Sequence, residues 1–160
     1  MKPLAKKATP AAIAVLRQAT ALCPKRKKAS DGLLPSLAHQ KQNPNSDHNT
    51  GLAADLTHDP HNGIDCSEMF RKLQDDKRVS YLIFNGLIWS QERGTRDYEG
   101  PNKHVKHLHI SIKAPYAFDT SPWFPWLKKP KPTIAGQARY LADIAKRKPK
   151  KKDVPSHKEA

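Results

Sequence analysis

Residues 79–89 have the sequence VSYLIFNGLIW, in which two apolar runs flank the dipeptide Asn85-Gly86. Runs that are rich in β-branched and aromatic residues favour strands. Asn-Gly between two such runs is the strongest short-range signal for a two-residue hairpin turn. The stretch therefore predicts strands over Val79–Phe84 and Leu87–Trp89, joined as an antiparallel hairpin.

Two further stretches, one on each side of the hairpin, show the alternation of a strand that is buried on one face. They are Leu52–Thr57 and Leu108–Lys113. Because alternate residues of a strand point to opposite faces, the leucine and isoleucines of the second stretch are expected to face the core, with His107 and His109 together on the other face. The sequence thus predicts a small antiparallel sheet of about four strands.

Two helices are predicted beside this sheet. Thr9 is a preferred N-cap residue, Pro10 suits the first helical position, and apolar residues then recur at helical spacing as far as Cys23. Asp65 begins a sequence similar to a capping box, which predicts a second helix to about Lys77. Helices combined with a small antiparallel sheet indicate the α+β fold class.

The chain is strongly basic, with 29 Lys and Arg against 15 Asp and Glu in 160 residues, and a net charge of +14. Residues 128–160 contain eleven basic and three acidic residues, or +8. We therefore predict one domain over residues 1–127 and a basic extension over 128–160, in which Thr133–Lys148 can form a short amphipathic helix before a disordered tail. Such a charge favours polyanionic partners: nucleic acid, an anionic membrane or a cell wall.

The composition also argues against several classes of protein. No apolar run reaches the ~20 residues that a membrane-spanning helix needs, and the apolar stretch Ala11–Leu16 is too short, and lacks the cleavage site, for a secretory signal. The two cysteines, Cys23 and Cys66, cannot make a disulfide framework or a zinc ribbon. We therefore expect synthesis in a reducing cytoplasm.

Two groups of histidines indicate a metal site. Within Ser46–Leu56, Gly51 permits a sharp turn by which His48 can fold back toward Asp55. With His109 from the later strand, these residues offer two imidazoles and one carboxylate. Three protein ligands and a fourth position for water are typical of a catalytic zinc site.

Residues 46–55, SDHNTGLAAD, match the SxHxxGxAxD motif of the D-alanyl-D-alanine carboxypeptidase and L-alanyl-D-glutamate endopeptidase family. His104, His107 and His109 are similar to the histidine form of that family's second motif. The wider group includes the lysostaphin-type peptidases and the hedgehog amino-terminal domain. The resemblance covers about residues 30–113, and the chain as a whole resembles a phage endolysin.

The resemblance implies a fold in which a small sheet carries the zinc site between flanking helices. It implies that His48, Asp55 and His109 bind Zn²⁺, and that the protein hydrolyses an amide bond in the stem peptide or cross-link of bacterial peptidoglycan. It further implies a monomer that is made in the host cytoplasm and acts on the cell wall, with nucleic acid not expected as a partner.

The general base is less clearly indicated. Many family members have Glu or Asp three residues before the last ligand, where this chain has Lys106. The role then passes to a histidine, and His107 is favoured because it shares a strand face with His109. His104 reaches the site only if the chain bends before the strand, and is given a supporting role. A shifted register, with His107 as ligand and His104 as base, stays open.

Two other functions compete with the peptidase. A histidine-metal nuclease is suggested by the positive charge and by Asp47-His48-Asn49, although such nucleases usually carry their ligands on a helix after a hairpin. A non-catalytic protein could keep zinc structurally and bind anionic surfaces or nucleic acid. The remaining histidines between residues 39 and 61 are expected at the surface or behind the ligands, and the aromatic cluster Trp123–Trp126 is expected to close the core.

The basic extension leads to the first prediction. If it carries the enzyme to an anionic outer-membrane or lipopolysaccharide surface, deletion of residues 128–160 leaves hydrolysis of isolated muropeptides unchanged. Killing of intact cells falls and becomes less sensitive to salt, because salt screens exposed charge. Equal killing by the full-length and truncated proteins across a salt series would favour the alternative, a terminal helix that docks on the domain.

Overall fold

The computed structural model describes residues 4–128 together with residues 142, 145 and 146. All helices and strands given below lie in the unit Met1–Lys129. The helix predicted over Thr133–Lys148 falls outside the described residues except at those three positions, and the boundary at residue 127 stays a prediction. None of the described helices is long and apolar enough to cross a bilayer.

Five strands form one antiparallel sheet, so the fold class is α+β as predicted. The strand order is β1-β5-β2-β3-β4, which places β5, the last of these strands in sequence, between β1 and β2. The strands are β1 (Ala53–Thr57), β2 (Val79–Phe84), β3 (Leu87–Ser90), β4 (Gly94–Asp97) and β5 (His107–Ile112).

The expectation of about four strands was wrong by one, because β4 was missed. Its sequence, GTRD, contains no apolar residue, so it has none of the alternation that identifies a strand in sequence. It forms by pairing with β3, where Asp97 lies opposite Leu87 and Gly94 opposite Ser90. This segment is a strand because it pairs with the edge of β3, and no pattern in its own sequence indicates a strand.

The hairpin that was predicted from Asn85-Gly86 is confirmed. Asn85 and Gly86 have φ angles of 47° and 79°, the left-handed pair that a type I′ turn requires. The turn joins β2 to β3 with Phe84 opposite Leu87.

Within residues 4–128, three α-helices accompany the sheet: α1 (Pro10–Leu22), α2 (Leu37–Gln42) and α3 (Cys66–Lys72). Thr9 and Asp65 cap α1 and α3, as predicted. However, α3 stops short of the predicted Lys77, because its last turn tightens into a 3₁₀ turn over Leu73–Asp75. The six residues of α2 were not predicted, because so short a segment does not show helical periodicity.

The core lies on the face of the sheet that packs against α1 and α3. Alternate residues of β5 reach it as predicted, with Leu108 and Ile110 fully buried. The aromatic cluster also closes this core, as expected: Trp123 is fully buried, and its indole N–H donates to the carbonyl of Ala11 at 3.1 Å. α1 and α3 therefore cover one face of the sheet, and the histidines of β5 lie on the other.

The loop before α2 is held against β1 by a buried ion pair. Arg26, only 5% exposed, donates to both carboxylate oxygens of Asp31 at 2.9 and 2.6 Å. Asp31 also accepts from the backbone N–H and the hydroxyl of Thr57 at 3.1 and 2.7 Å. Beside it, Gly32 exchanges backbone hydrogen bonds with Asp55, so this loop extends the sheet at its β1 edge.

The Arg26–Asp31 pair yields a prediction about stability and pH. Burial alone would raise the pKa of Asp31, but the hydrogen bonds from Arg26 and Thr57 outweigh it and hold the pKa below its usual value. Asp31→Asn should therefore cost roughly 1–3 kcal/mol at neutral pH, because it leaves a buried guanidinium without its charged partner.

A carboxyl group with a lowered pKa stabilises the fold fully above its unfolded value of about 3.9 and loses this effect as pH falls through the folded value. Urea unfolding at decreasing pH should thus show wild type and Asp31→Asn converging in acid. Asp97→Asn, on the exposed edge strand β4, is the matched control and should change stability by less than about 0.5 kcal/mol. A difference that persists in acid would contradict the assignment.

Candidate metal centre

The pairing of β1 with β5 brings together two of the predicted ligands. Asp55 lies directly opposite His109 in this antiparallel pair, and opposite residues project from the same face. The Nδ1 atom of His109 is 3.1 Å from Oδ1 of Asp55. These two side chains sit on the sheet face opposite α1 and α3.

The third predicted ligand, His48, lies in a 3₁₀ turn, Asp47–Thr50, just before β1. Ser46 caps this turn by accepting from the backbone N–H of His48 at 3.3 Å. Gly51 ends it with a φ of 73°, and a Cβ there would lie 2.7 Å from the carbonyl oxygen of Lys7. The turn is therefore restricted to glycine, as the sequence predicted, and it brings Nε2 of His48 to 3.2 Å from Oδ2 of Asp55.

The hydrogen bond at Nδ1 of His48 determines the tautomer of this side chain. Nδ1 lies 2.7 Å from the carbonyl oxygen of Leu33, which can only accept, so Nδ1 carries a proton and donates it. A neutral His48 then turns the lone pair of Nε2 toward the Asp55 carboxylate. Two lone pairs 3.2 Å apart repel each other unless a proton or a metal cation lies between them. The carbonyl of Leu33 thus fixes the orientation of the His48 ring. Histidines that bind metals commonly have such a hydrogen-bond acceptor at their second ring nitrogen.

Burial and charge at these residues also favour a cation. Burial alone would raise the pKa of Asp55, but its contacts with His109 and His48 lower it far below its usual range. Burial alone would lower the pKa of His48, but the neighbouring Asp55 outweighs this and raises it. A partly buried, ionised carboxylate therefore faces two imidazoles, and each of these histidines is 5% exposed.

The geometry of the three residues suits a metal ion. One ligand atom from each of His48, Asp55 and His109 lies within 4.8 Å of the others. Nδ1 of His109 lies 3.1 Å from Oδ1 of Asp55 and Nε2 of His48 lies 3.2 Å from Oδ2, so each imidazole faces a different oxygen of the carboxylate. Nε2 of His109 is buried and has no hydrogen-bond partner among the described residues. The group could therefore hold a metal ion.

The two histidines predicted to act beside the ligands also lie at this site. Nε2 of His107 is 3.7 Å from Oδ2 of Asp55, and the ring of His104 is 4.9 Å from that of His107. The bend that His104 needs is present, since its φ is 54°. Burial lowers the pKa of both side chains, that of His104 to about 4, so both are neutral at pH 7. Their roles stay predictions.

His39, which was expected at the surface or behind the ligands, lies at the site. It lies on α2, its ring is 5.9 Å from that of His48, and its buried Nε2 has no hydrogen-bond partner in the described part of the chain. No motif position marks it, and only the folding of α2 over the ligands reveals it. By contrast, His58 lies away from the ligands: it accepts from the backbone N–H of Cys66 at 3.1 Å and packs against Phe84.

The ligand group opens into a cleft of about 620 Å³. One wall comes from α2 and the loop after it, and the other comes from the segment between β4 and β5. Amide and ring side chains predominate, which suits a polar chain such as a peptide. The wall residues outside the histidine cluster include Gln42, Asn43, Asn45, Tyr98 and Asn102.

A buried polar contact ties the turn that carries His48 to the strand that carries His109. Ser111, two residues beyond His109 and fully buried, donates a short hydrogen bond to the carboxylate of Asp47. The ring of Tyr81 stacks on His109 with centroids 5.4 Å apart and planes at 22°. Burial, followed by the nearby charge of Asp47, raises the pKa of Tyr81, so its hydroxyl keeps its proton.

The chain matches the model of a known protein family. A family model described as "VldE, C-terminal domain" matches residues 5–109, which include all three potential metal ligands. No curated protein and no solved structure gives a significant match to the chain.

The contact between Ser111 and Asp47 yields a prediction about metal affinity. Ser111→Ala removes the donor that fixes the His48 turn against β5, and it should weaken Zn²⁺ binding by about 10-fold or more, as loss of a supporting hydrogen bond does at other metal sites. The dissociation constant can be measured by competition with a chromogenic chelator. Ser67→Ala, at an exposed position of α3, is the control. Equal Zn²⁺ affinity in the Ser111→Ala variant and wild type would contradict the role given to this contact.

Proposed function

We propose that this chain, which belongs to the VldE C-terminal domain family, is a zinc-dependent peptidoglycan peptidase of the phage endolysin type. It hydrolyses an amide bond in the stem peptide or cross-link, and its fold is that of the D-alanyl-D-alanine peptidase and hedgehog group. As proposed, it is made in the host cytoplasm, works as a monomer and acts on the cell wall.

The proposal rests on one observation: residues from both motifs lie together at one cleft. His48 and Asp55 come from the first motif and His109 from the second, and one ligand atom of each lies within 4.8 Å of the others. Nitrogen and carboxylate ligands of this kind suit Zn²⁺. Because three protein ligands leave a coordination position for water or substrate, the arrangement favours a catalytic metal over a structural one.

The chemistry is amide hydrolysis. When bound, Zn²⁺ would polarise the scissile carbonyl and lower the pKa of a water molecule to about 7. The chain's own residues then have three tasks. Leu33 keeps His48 in one tautomer, Asp55 supplies the negative charge that draws the cation, and the cleft walls hold the peptide in line with the ligand group.

His107 is proposed as the general base. It shares the strand face of His109, and its Nε2 faces the ligand group at 3.7 Å from Asp55, where an attacking water would approach. As a neutral imidazole, it can take the proton of that water at Nε2 and return it to the leaving amine. His104 has Nδ1 occupied by the carbonyl oxygen of Asn102 at 2.7 Å, so its own Nε2 can support His107 or the substrate.

These roles lead to a paired prediction. His107→Ala should keep Zn²⁺ and the fold but lose about 10²- to 10⁴-fold in turnover, the usual cost of removing a general base. His109→Ala should lose both the metal and the activity. Zinc content by elemental analysis and muropeptide release by mass spectrometry are measured side by side. If His107→Ala loses the metal while His109→Ala keeps it, the roles are reversed, and if His107→Ala retains full turnover, His104 becomes the candidate base.

The class of enzyme is tested on two substrates. Wild-type protein is incubated with purified sacculi and with plasmid DNA, each with and without a chelator. Clearing of the sacculi that the chelator abolishes, with the DNA left intact, supports the peptidase. Chelator-sensitive cutting of DNA alone would instead identify a nuclease, and action on neither would leave a non-catalytic binder.

A further inference from the structure

The face of the sheet that carries the ligands continues beyond them as one row of side chains. Asp55 lies opposite His109, His109 opposite Ile83, Ile83 opposite Ile88, and Ile88 opposite Arg96. Opposite residues of antiparallel strands project from the same face. The row therefore runs across all five strands, from the metal ligands over two isoleucines to an arginine on the far edge strand.

The two isoleucines form a floor rather than part of the core. Ile83 lines the metal cleft and is absent from the buried cluster against the helices, whereas its neighbours Leu82 and Phe84 belong to that cluster. Ile88 is only partly buried and lines a second cavity of about 260 Å³. Tyr81 borders both cavities, so the second adjoins the first across this side chain.

The second cavity contains two cations whose described partners are neutral. The guanidinium of Arg96 donates to the Ser90 hydroxyl at 3.3 Å and weakly to the carbonyl of Gly94 at 3.5 Å. The ammonium of Lys113 donates to the side-chain oxygen of Gln91 at 3.1 Å. Neither forms an ion pair with an acidic residue in the described part of the chain. The one carboxylate that lines this cavity is that of Glu92, so the formal charge around it is +1.

From this row we infer a substrate subsite: the cavity at Arg96 binds a free carboxylate of the peptide that the metal centre cleaves, with Lys113 adding positive charge. The inference rests on the proposed function and adds a chemical requirement, an acidic peptide. A half-buried guanidinium on a fixed strand suits a carboxylate, because its planar donors can form two parallel hydrogen bonds. The isoleucine floor between the sites accommodates the aliphatic part of the peptide.

The sheet geometry sets the distance between the scissile bond and the recognised carboxylate. Strands lie about 4.8 Å apart, and β4 is three strands from β5, so Arg96 lies roughly 14 Å from His109. An extended peptide covers about 3.3–3.6 Å per residue. The carboxylate therefore belongs to a residue about four positions from the cleaved bond, or about three if a long side chain carries it.

The experiment compares two substrates and three proteins. The substrates are stem peptides whose carboxylates are either free or converted to carboxamides. The proteins are wild type, Arg96→Ala and, as a control, Arg93→Ala, an exposed arginine in the turn before β4 that does not line this cavity. Zinc content is measured for each, and kcat/KM is determined for each pair, together with equilibrium binding of the free-carboxylate peptide.

Wild type and Arg93→Ala should favour the free-carboxylate peptide by about 10- to 100-fold, the effect of one charge-assisted hydrogen-bonded pair. Arg96→Ala should lose this preference while its zinc content and its rate on the amidated peptide stay unchanged. Arg96→Lys should recover only part of it, because an ammonium cannot form the paired hydrogen bonds.

The inference is overturned if Arg96→Ala lowers kcat/KM equally for both substrates, or if it changes neither. Equilibrium binding of the free-carboxylate peptide distinguishes failure of the subsite from failure of the proposed function. If wild type hydrolyses neither peptide but binds the acidic one in an Arg96-dependent way, the subsite stands and the peptidase does not. If wild type neither hydrolyses nor binds them, both are rejected.

Discussion

The antiparallel pairing of β5 with β1 and β2 fixes which side chains meet at the metal centre. β5 lies between β1 and β2, and its register sets Asp55 beside His109 on one side and Ile83 on the other. A slip of one residue would turn every side chain of β5 to the opposite face. The histidines would then enter the core, and Leu108 and Ile110, now fully buried, would enter the cleft.

The energetic preference for this register is large. Burying a leucine or isoleucine side chain stabilises the fold by about 1.5–3 kcal/mol, and β5 buries one leucine and two isoleucines against the helices. The alternation of β5 therefore has two consequences at once. Its apolar half holds the strand in place, whereas its polar half presents His107 and His109 to the cleft and places Ser111, which is fully buried, against Asp47.

The metal centre also needs support from outside the sheet. Asp31 anchors the loop to β1, Gly32 pairs with the backbone of Asp55, and Leu33 fixes the tautomer of His48. A Cβ on Gly32 would come within 3.1 Å of an Asp55 carboxylate oxygen, so the smallest residue stands where the loop approaches the ligand. Three consecutive residues of an irregular loop thus hold two of the three ligands, and the Ser111–Asp47 contact connects the third to the same assembly.

Features that depend on neighbouring residues could be predicted from the sequence alone. The hairpin at Asn85-Gly86, the caps at Thr9 and Asp65 and the alternation of β5 each follow from local geometry. The three potential ligands could also be named in advance: Gly51 and the strand period indicate His48, Asp55 and the pair His107 and His109, and the resemblance selects His109 from that pair. Zinc, the catalytic roles and the peptidoglycan substrate remain proposals that the resemblance and this geometry support.

Contributions that come from distant segments could not be predicted from the sequence and depend on the folded chain. β4 has no apolar pattern and becomes a strand through its partner. His39 occupies the cleft because a six-residue helix folds over it. The Leu33–His48 contact joins residues 15 apart, and the Ser111–Asp47 contact joins residues 64 apart. No periodic pattern in the sequence indicates such contacts, because each depends on backbone positions that are set by the packing of the whole sheet.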